Sequence, residues 1–133
     1  MSTKSTSEIF TSIFRDDAWR GKSKSGPGST LAATAVLRAA LPGAFQALGI
    51  RTLMDAPCGT AEWVTEVTGD LDTYIGCDVV EELVWAAARD NTRRNHFFTL
   101  ADITLAILPR ADAILCRDCL VYMPLEMAAT TIA

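Results

Sequence analysis

The sequence predicts an α/β protein built on a doubly wound parallel sheet, and three observations carry that prediction. Short apolar, strand-like runs alternate with segments of helical periodicity from residue 29 onward. The run Thr52-Leu53-Met54-Asp55 passes directly into a turn of small residues, Pro57-Cys58-Gly59-Thr60-Ala61. The next strand-like run, Thr73 to Asp78, ends on an acid about 20 residues past that turn, the spacing at which a neighbouring strand delivers a carboxylate to the hydroxyls of a bound ribose. Right-handed crossovers between parallel strands then give the order 3-2-1-4, with a ligand crevice between strands one and four where the order reverses.

Each element has its own local signature. Ser5 and Glu8 have capping-box spacing, and Ile9, Phe10, Ile13 and Phe14 fall on one helical face behind them. This short helix is expected to dock on the body; covering a cleft as a lid is the alternative. Gly21 to Ser29 is a basic, glycine-rich loop by composition, a flexible linker in which Lys22 and Lys24 read as solvated surface residues. Ser29 or Thr30 is expected to cap the next helix, which runs through Leu31, Ala35, Leu37 and Leu41, is interrupted or restarted at Pro42, and stops at Gly49. A helix is expected from Ala61 to about Thr68, opened by Glu62-Trp63-Val64, and its free N–H groups would serve the cradle. Val80 to Asn91 reads as a helix with Leu83, Val84 and Ala87 inward, His96 to Leu100 as the third strand, Asp112 to Cys116 as the fourth, and Leu125 to Ile132 as a final helix. His96 begins its strand, at the end away from the crevice, and is a poor candidate for catalysis.

Composition narrows the function. Half of the 133 residues are hydrophobic, enough for one cored domain. The net charge of −4 argues against a nucleic-acid backbone as partner, since phosphate binding needs a basic face. No run is long enough to span a membrane and no leader pattern opens the chain, so a cytoplasmic protein is expected. The four cysteines, Cys58, Cys77, Cys116 and Cys119, are then expected as reduced, small buried groups. Cys116-x-x-Cys119 has the spacing of a redox pair or half a metal site, although it follows an apolar strand. The turn lacks the Gly-Lys-Ser/Thr ending of a P-loop. Glu62 would repel a pyrophosphate where a dinucleotide fold wants its third glycine, which disfavours an NAD-dependent enzyme.

The stretch from Thr52 resembles the class I S-adenosylmethionine (SAM)-dependent methyltransferases, whose first motif is an apolar strand, an acid and G-x-G-x-G. Asp55 matches the acid, and Pro57, Gly59 and Ala61 stand at the three glycine positions, so only the middle glycine is kept. A branch with D-x-P-C-G-x-x-x-W is more similar, through Asp55, Pro57, Cys58, Gly59 and Trp63. That branch also carries W…S-G-x-G-S, matched by Trp19, Ser25, Gly26, Gly28 and Ser29, and R-D-C-L-V-H, matched from Arg117 to Val121 with Tyr122 in place of His. The resemblance runs from about Trp19 to Met123.

It implies a Rossmann-like fold with SAM as cofactor. Asp55 and the Cys58-Gly59 backbone would hold the methionine part, Asp78 the ribose and Asp102 the adenine, with Ile103 beside the ring. Ala56, Pro57, Trp63, Val79 and Arg117 complete the expected cofactor site. Asp118 and Tyr122 would lie nearest a small-molecule acceptor, and the missing His leaves the general base unassigned. Residues 1–28 would form an N-terminal helix and loop folding over the cofactor, and 29–133 the cofactor-binding domain. Three further strands of the full family fold do not follow the fourth here. The expectation is a fragment, or a fourth-strand edge covered by another chain, most simply a homodimer. A non-catalytic nucleoside-binding or scaffold module is the alternative function.

Overall fold

A computed structural model describes residues 4–18, 20 and 23–133. Trp19 and Lys22, named above, lie outside the described residues. The elements are α1 (Thr6–Arg15), α2 (Ala35–Leu48), β1 (Thr52–Asp55), β2 (Thr73–Asp78), α3 (Glu81–Asp90), β3 (His96–Leu100), β4 (Ala113–Leu115) and α4 (Leu125–Ile132). The four strands form one parallel sheet in the order β3-β2-β1-β4, as the alternation predicts.

Strand alternation splits the sheet into two faces. Leu53, Tyr74, Phe98, Ala113 and Leu115 pack on one face against Phe45 of α2, Trp63, Val64 and Ala87 of α3. On the other, Met54 and Cys77 are covered by Ala101, Ile103, Leu108 and Ala111. That second cover is partial. One cross-strand row on this face runs Phe97–Ile75–Met54–Ile114; Met54 in its middle is fully buried, while Phe97 and Ile114 at its ends are 55 % and 60 % exposed.

Asp112 ties the N-terminal ends of β1 and β4: one carboxylate oxygen accepts the backbone N–H groups of Arg51 and Thr52, each at 2.8 Å. Arg51 in turn pairs with Asp72 ahead of β2 at 2.6 Å. His96 is structural. Asn95 donates its amide to Gly69 and Leu71 carbonyls, which leaves its oxygen as acceptor for His96 Nδ1–H at 2.9 Å. His96 Nε2 lies 2.8 Å from the Thr68 hydroxyl, and burial holds the ring below its ordinary pKa.

Two helices differ from expectation. No α-helix follows the β1 turn; turns and a single 3₁₀ turn, Val64–Glu66, take its place. The segment is rich in β-branched residues, and the Thr65 and Thr68 hydroxyls bond the Ala61 and Val64 carbonyls, both of which work against a regular helix. α2 begins at Ala35 because Thr30 spends its side chain and carbonyl on an irregular turn, accepting the N–H of Ala33 and of Thr34. Pro42 does not interrupt α2, which runs through it to Gly49. The capping box on α1 is as expected, with Ser5 and Glu8 satisfying each other's backbone N–H.

Gly49 closes α2 in the left-handed conformation at φ 67°, with Ile50 N–H returning to the Phe45 carbonyl at 2.8 Å. Gly43, inside the same helix, has open space where a side chain would stand. Opposite signs are expected in urea denaturation: Gly49→Ala lowers stability by about 1 kcal/mol, whereas Gly43→Ala raises it by about 0.5–1 kcal/mol.

Candidate functional site

The crevice opens at the C-terminal ends of β1, β2 and β4, where a doubly wound sheet reverses order. Its floor is the turn after β1. Gly59 and Ala61 both lie at φ 55°, and the Ala56–Pro57 bond is cis. A side chain on Gly59 would collide with the Ser25 side chain. Gly76 in β2 is equally constrained, since a Cβ there would come within 2.8 Å of the Phe98 ring and 3.1 Å of Cys58 Cβ. Small residues at 58, 59 and 76 let two strands and a turn approach closely.

Two buried carboxylates face the crevice. Asp78 ends β2, and its oxygens accept the N–H of Gly59 at 2.9 Å and of Val80 at 3.0 Å. Each oxygen keeps a further lone pair. Burial raises its pKa against those backbone bonds, which lower it. Asp55 ends β1 and is 3 % exposed. Burial pushes it up to about 7, opposed by the bond it accepts from the Tyr74 hydroxyl at 2.7 Å and reinforced by the nearby Asp78. Cys58 is a thiol at neutral pH, because burial raises it well above the usual range.

A strap of residues 23–29 crosses the crevice from bank to bank. At one end the Ser25 hydroxyl accepts the N–H of Thr60 at 2.8 Å. At the other the Gly28 carbonyl accepts from Arg117 Nη1 at 3.0 Å. Arg117 also pairs with Asp118 at 2.9 Å and lies over the Trp63 ring, 5.7 Å from its centroid. Asp118 stands in the left-handed region at φ 51°, and a Cβ on Gly28 would meet its carboxylate at 2.7 Å.

Helix α1 lies across the same mouth. Thr6, Phe10 and Phe14 line the crevice. The helix is held by Thr6 to Met127 at 3.0 Å and to Thr104 at 3.4 Å, by a Phe10–Tyr122 edge contact, and by an exposed Arg15–Glu82 pair. It docks, as expected, but it docks as the lid.

Among the residues expected from sequence, Asp55, Pro57, Cys58, Gly59, Trp63, Asp78, Val79, Ile103, Arg117 and Asp118 line the crevice. Three do not. Ala56 is buried beneath the turn. Asp102 caps its own turn, its Oδ1 accepting the Thr104 N–H and hydroxyl at 2.9 and 2.6 Å. Tyr122 lies beside Phe10, and its neighbour Met123 takes the place on the wall. Sequence reasoning missed Phe10, Phe14, Leu83 and Met123 as wall residues and Tyr74 as the partner of Asp55. The unpartnered apolar face of α1 was the available signal for the first two.

Neither a protein-family model nor a curated protein matches the chain. Solved structures do. Magnesium protoporphyrin IX methyltransferase (ChlM) from Synechocystis PCC 6803, solved with bound SAM, superposes at a TM-score of 0.70 with 17 % identity over 99 % of this chain and 71 % of its own. A SAM-dependent methyltransferase from Leishmania major gives 0.68 and 16 % over 98 % of this chain and 58 % of its own. The cyclase SpnF gives 0.70 and 19 % over 99 % and 55 %. The chain thus spans 71 % of the first and little more than half of the other two. At these identities the likeness establishes the fold, the Rossmann-like α/β fold of class I SAM-dependent methyltransferases, here with a four-stranded sheet.

The raised pKa of Asp55 fixes the sign of a pH effect. The folded state binds this proton up to about pH 7, the unfolded chain only to its ordinary value of 3.8. The stabilisation is therefore complete below that ordinary value and is lost as pH rises through about 7. Asparagine keeps an acceptor for Tyr74 and does not titrate. Relative to the native chain, Asp55→Asn should gain about 1.4 kcal/mol between pH 6 and pH 8. Urea denaturation at the two pH values measures this, and a gap that stays constant contradicts it.

Proposed function

We propose that this chain forms the cofactor-binding part of a SAM-dependent methyltransferase acting on a small-molecule acceptor in the cytoplasm. The observation that carries the reading is the pair of buried acids, Asp55 and Asp78, at the ends of adjacent strands with a small-residue turn between them. Their surroundings are apolar: Val79, Leu83, Ile103, Phe10 and Phe14 wall the same space. Acids in a dry crevice favour a ligand that brings positive charge and hydroxyl groups, and they repel a pyrophosphate. SAM has that chemistry, with a sulfonium, an ammonium and a ribose. The fold likeness to SAM-dependent methyltransferases supports the same reading.

In this reading Asp78 accepts the ribose hydroxyls on its remaining lone pairs while its backbone bonds persist. Asp55 faces the methionine part, together with Ala56, Pro57, Cys58 and Gly59. Val79 and Ile103 flank the adenine, and Asp102 reaches it only by releasing Thr104. Trp63 and Arg117 form the wall under the strap. When bound, SAM supplies an activated methyl group that an acceptor can take in line. The chain's own work is positioning and water exclusion, performed by the strap and α1. Asp118 and Tyr122 stand on the acceptor bank, Asp118 on the wall and Tyr122 beside the lid.

Calorimetry with SAM, S-adenosylhomocysteine and NAD tests the reading. The first two should bind and NAD should not. Asp78→Ala should weaken S-adenosylhomocysteine by about 1.5–3 kcal/mol, the scale of hydrogen bonds to a charged group. Tighter binding of NAD, or an affinity unmoved by loss of Asp78, overturns it.

We also propose that the β4 edge pairs with a second copy. β4 pairs only with β1 among the described strands, and Ile114, Leu105, Ile107, Val121 and Leu125 are exposed. An apolar strand with unpaired N–H and C=O groups invites another strand, and a two-fold dimer is the commonest closed arrangement. Light scattering at micromolar concentration should report a dimer, and Ile114→Lys should shift it to monomer. A native chain that is monomeric throughout rules the dimer out.

A further inference from the structure

The turn after β4 carries two thiols that the proposed reaction does not use. Cys116 is exposed at the strand end, and Cys119 is buried in the crevice wall. Two residues separate them in the chain, and the backbone between them bends at Asp118, which stands in the left-handed region. The Cys119 thiol donates to the Cys116 sulfur and holds it down at about 7, while Cys119 itself is pushed far up. A large share of Cys116 is therefore thiolate at neutral pH, the form that reacts with electrophilic oxygen and sulfur. The other two cysteines are different. Burial raises both Cys58 and Cys77, the latter to about 11. No group of three metal-ligating side chains exists among the described residues, so the pair is not part of a metal site there.

We propose that Cys116 and Cys119 are an oxidation-sensitive dithiol, converted to a disulfide by hydroperoxides, and that its closure alters the seat of the strap on the crevice. In the first step the Cys116 thiolate attacks one peroxide oxygen. An S–O bond forms, the O–O bond breaks, and the leaving hydroxide takes a proton to become water. In the second, the Cys119 sulfur attacks the sulfenic sulfur. An S–S bond forms, the S–O bond breaks, and the Cys119 proton leaves with that oxygen as a second water. The two thiols together lose two electrons and the peroxide gains them. The residues enclosed by the new bond are Arg117 and Asp118, which hold Gly28 through its carbonyl and pack against its Cα. Drawing the sulfurs to bonding distance moves Cys119 within the wall and shifts both residues of that seat.

The test uses the full chain, reduced and then treated with hydrogen peroxide. Intact mass should fall by about 2 Da and recover with dithiothreitol, and the bridge should map to the peptide holding positions 116 and 119. Cys119→Ser should instead accumulate sulfenic and then sulfinic acid on Cys116, with no bridge. Cys116→Ser should lose peroxide reactivity by about tenfold or more. Amide exchange over residues 23–29 should be faster in the oxidised than in the reduced chain. A bridge mapping to Cys58 or Cys77, or the same mass loss in Cys116→Ser, overturns the dithiol. Identical exchange in the two redox states overturns its link to the strap.

Discussion

The crevice depends on one carboxylate. Asp78 accepts the Gly59 N–H from the turn after β1 and the Val80 N–H at the start of α3, so a single side chain joins two crossovers at the lip of the sheet. Both donors are buried with it. Without it each would be left unpaired, at roughly 1–3 kcal/mol apiece. The small residues at 58, 59 and 76 are a consequence of this join, because the turn must come close enough for Gly59 to reach the acid. Tyr74 then matters as well: its hydroxyl satisfies Asp55, the second acid, which burial alone would drive further toward neutrality. The structure keeps two acids side by side in a dry place by giving each its own donors.

Strands and topology were legible because they obey short-range rules. All four strands were read from alternation and bounding turns, and the order follows from handedness. The segment after β1 was misread because apolar spacing there mimics a helix, while threonine hydroxyls compete for the carbonyls that a helix would use. Much of the crevice wall was legible for a similar reason: strand ends at Asp55 and Asp78 deliver their side chains to one place. The contribution of α1 was not, because periodicity marks an apolar face without saying what it covers. Tyr74 could not be assigned to Asp55, since that bond depends on inter-strand register. Asp102 shows the converse. The family resemblance assigns it to the adenine, yet Thr104 two residues on offers a local partner.

The fold by itself leaves the reaction open. The solved structures that superpose on this chain include methyltransferases and a cyclase, which is the usual relation between a scaffold and the sites built on it. The discriminating features are therefore the residues, not the sheet. Two acids in an apolar crevice speak for a cationic ligand with hydroxyls. In the proposed reading, the identity of the acceptor would be written on the other bank, around Arg117, Asp118 and Met123, where the β4 edge and the strap meet.

The hold of α1 on α4 has a bearing on how the chain acquires its structure. Thr6 meets Met127 across a sequence separation of 121 residues. A contact of that span cannot help to nucleate folding, since closing so long a loop is costly until the rest of the fold supports it. During synthesis the sheet can assemble while the first helix is still unattached, its Phe10 and Phe14 facing water. The last anchor of that helix, Met127, becomes available only after α4 has emerged from the ribosome. Until the helix docks, the nascent chain displays an open crevice and a loose apolar helix, the kind of surface on which chaperones act.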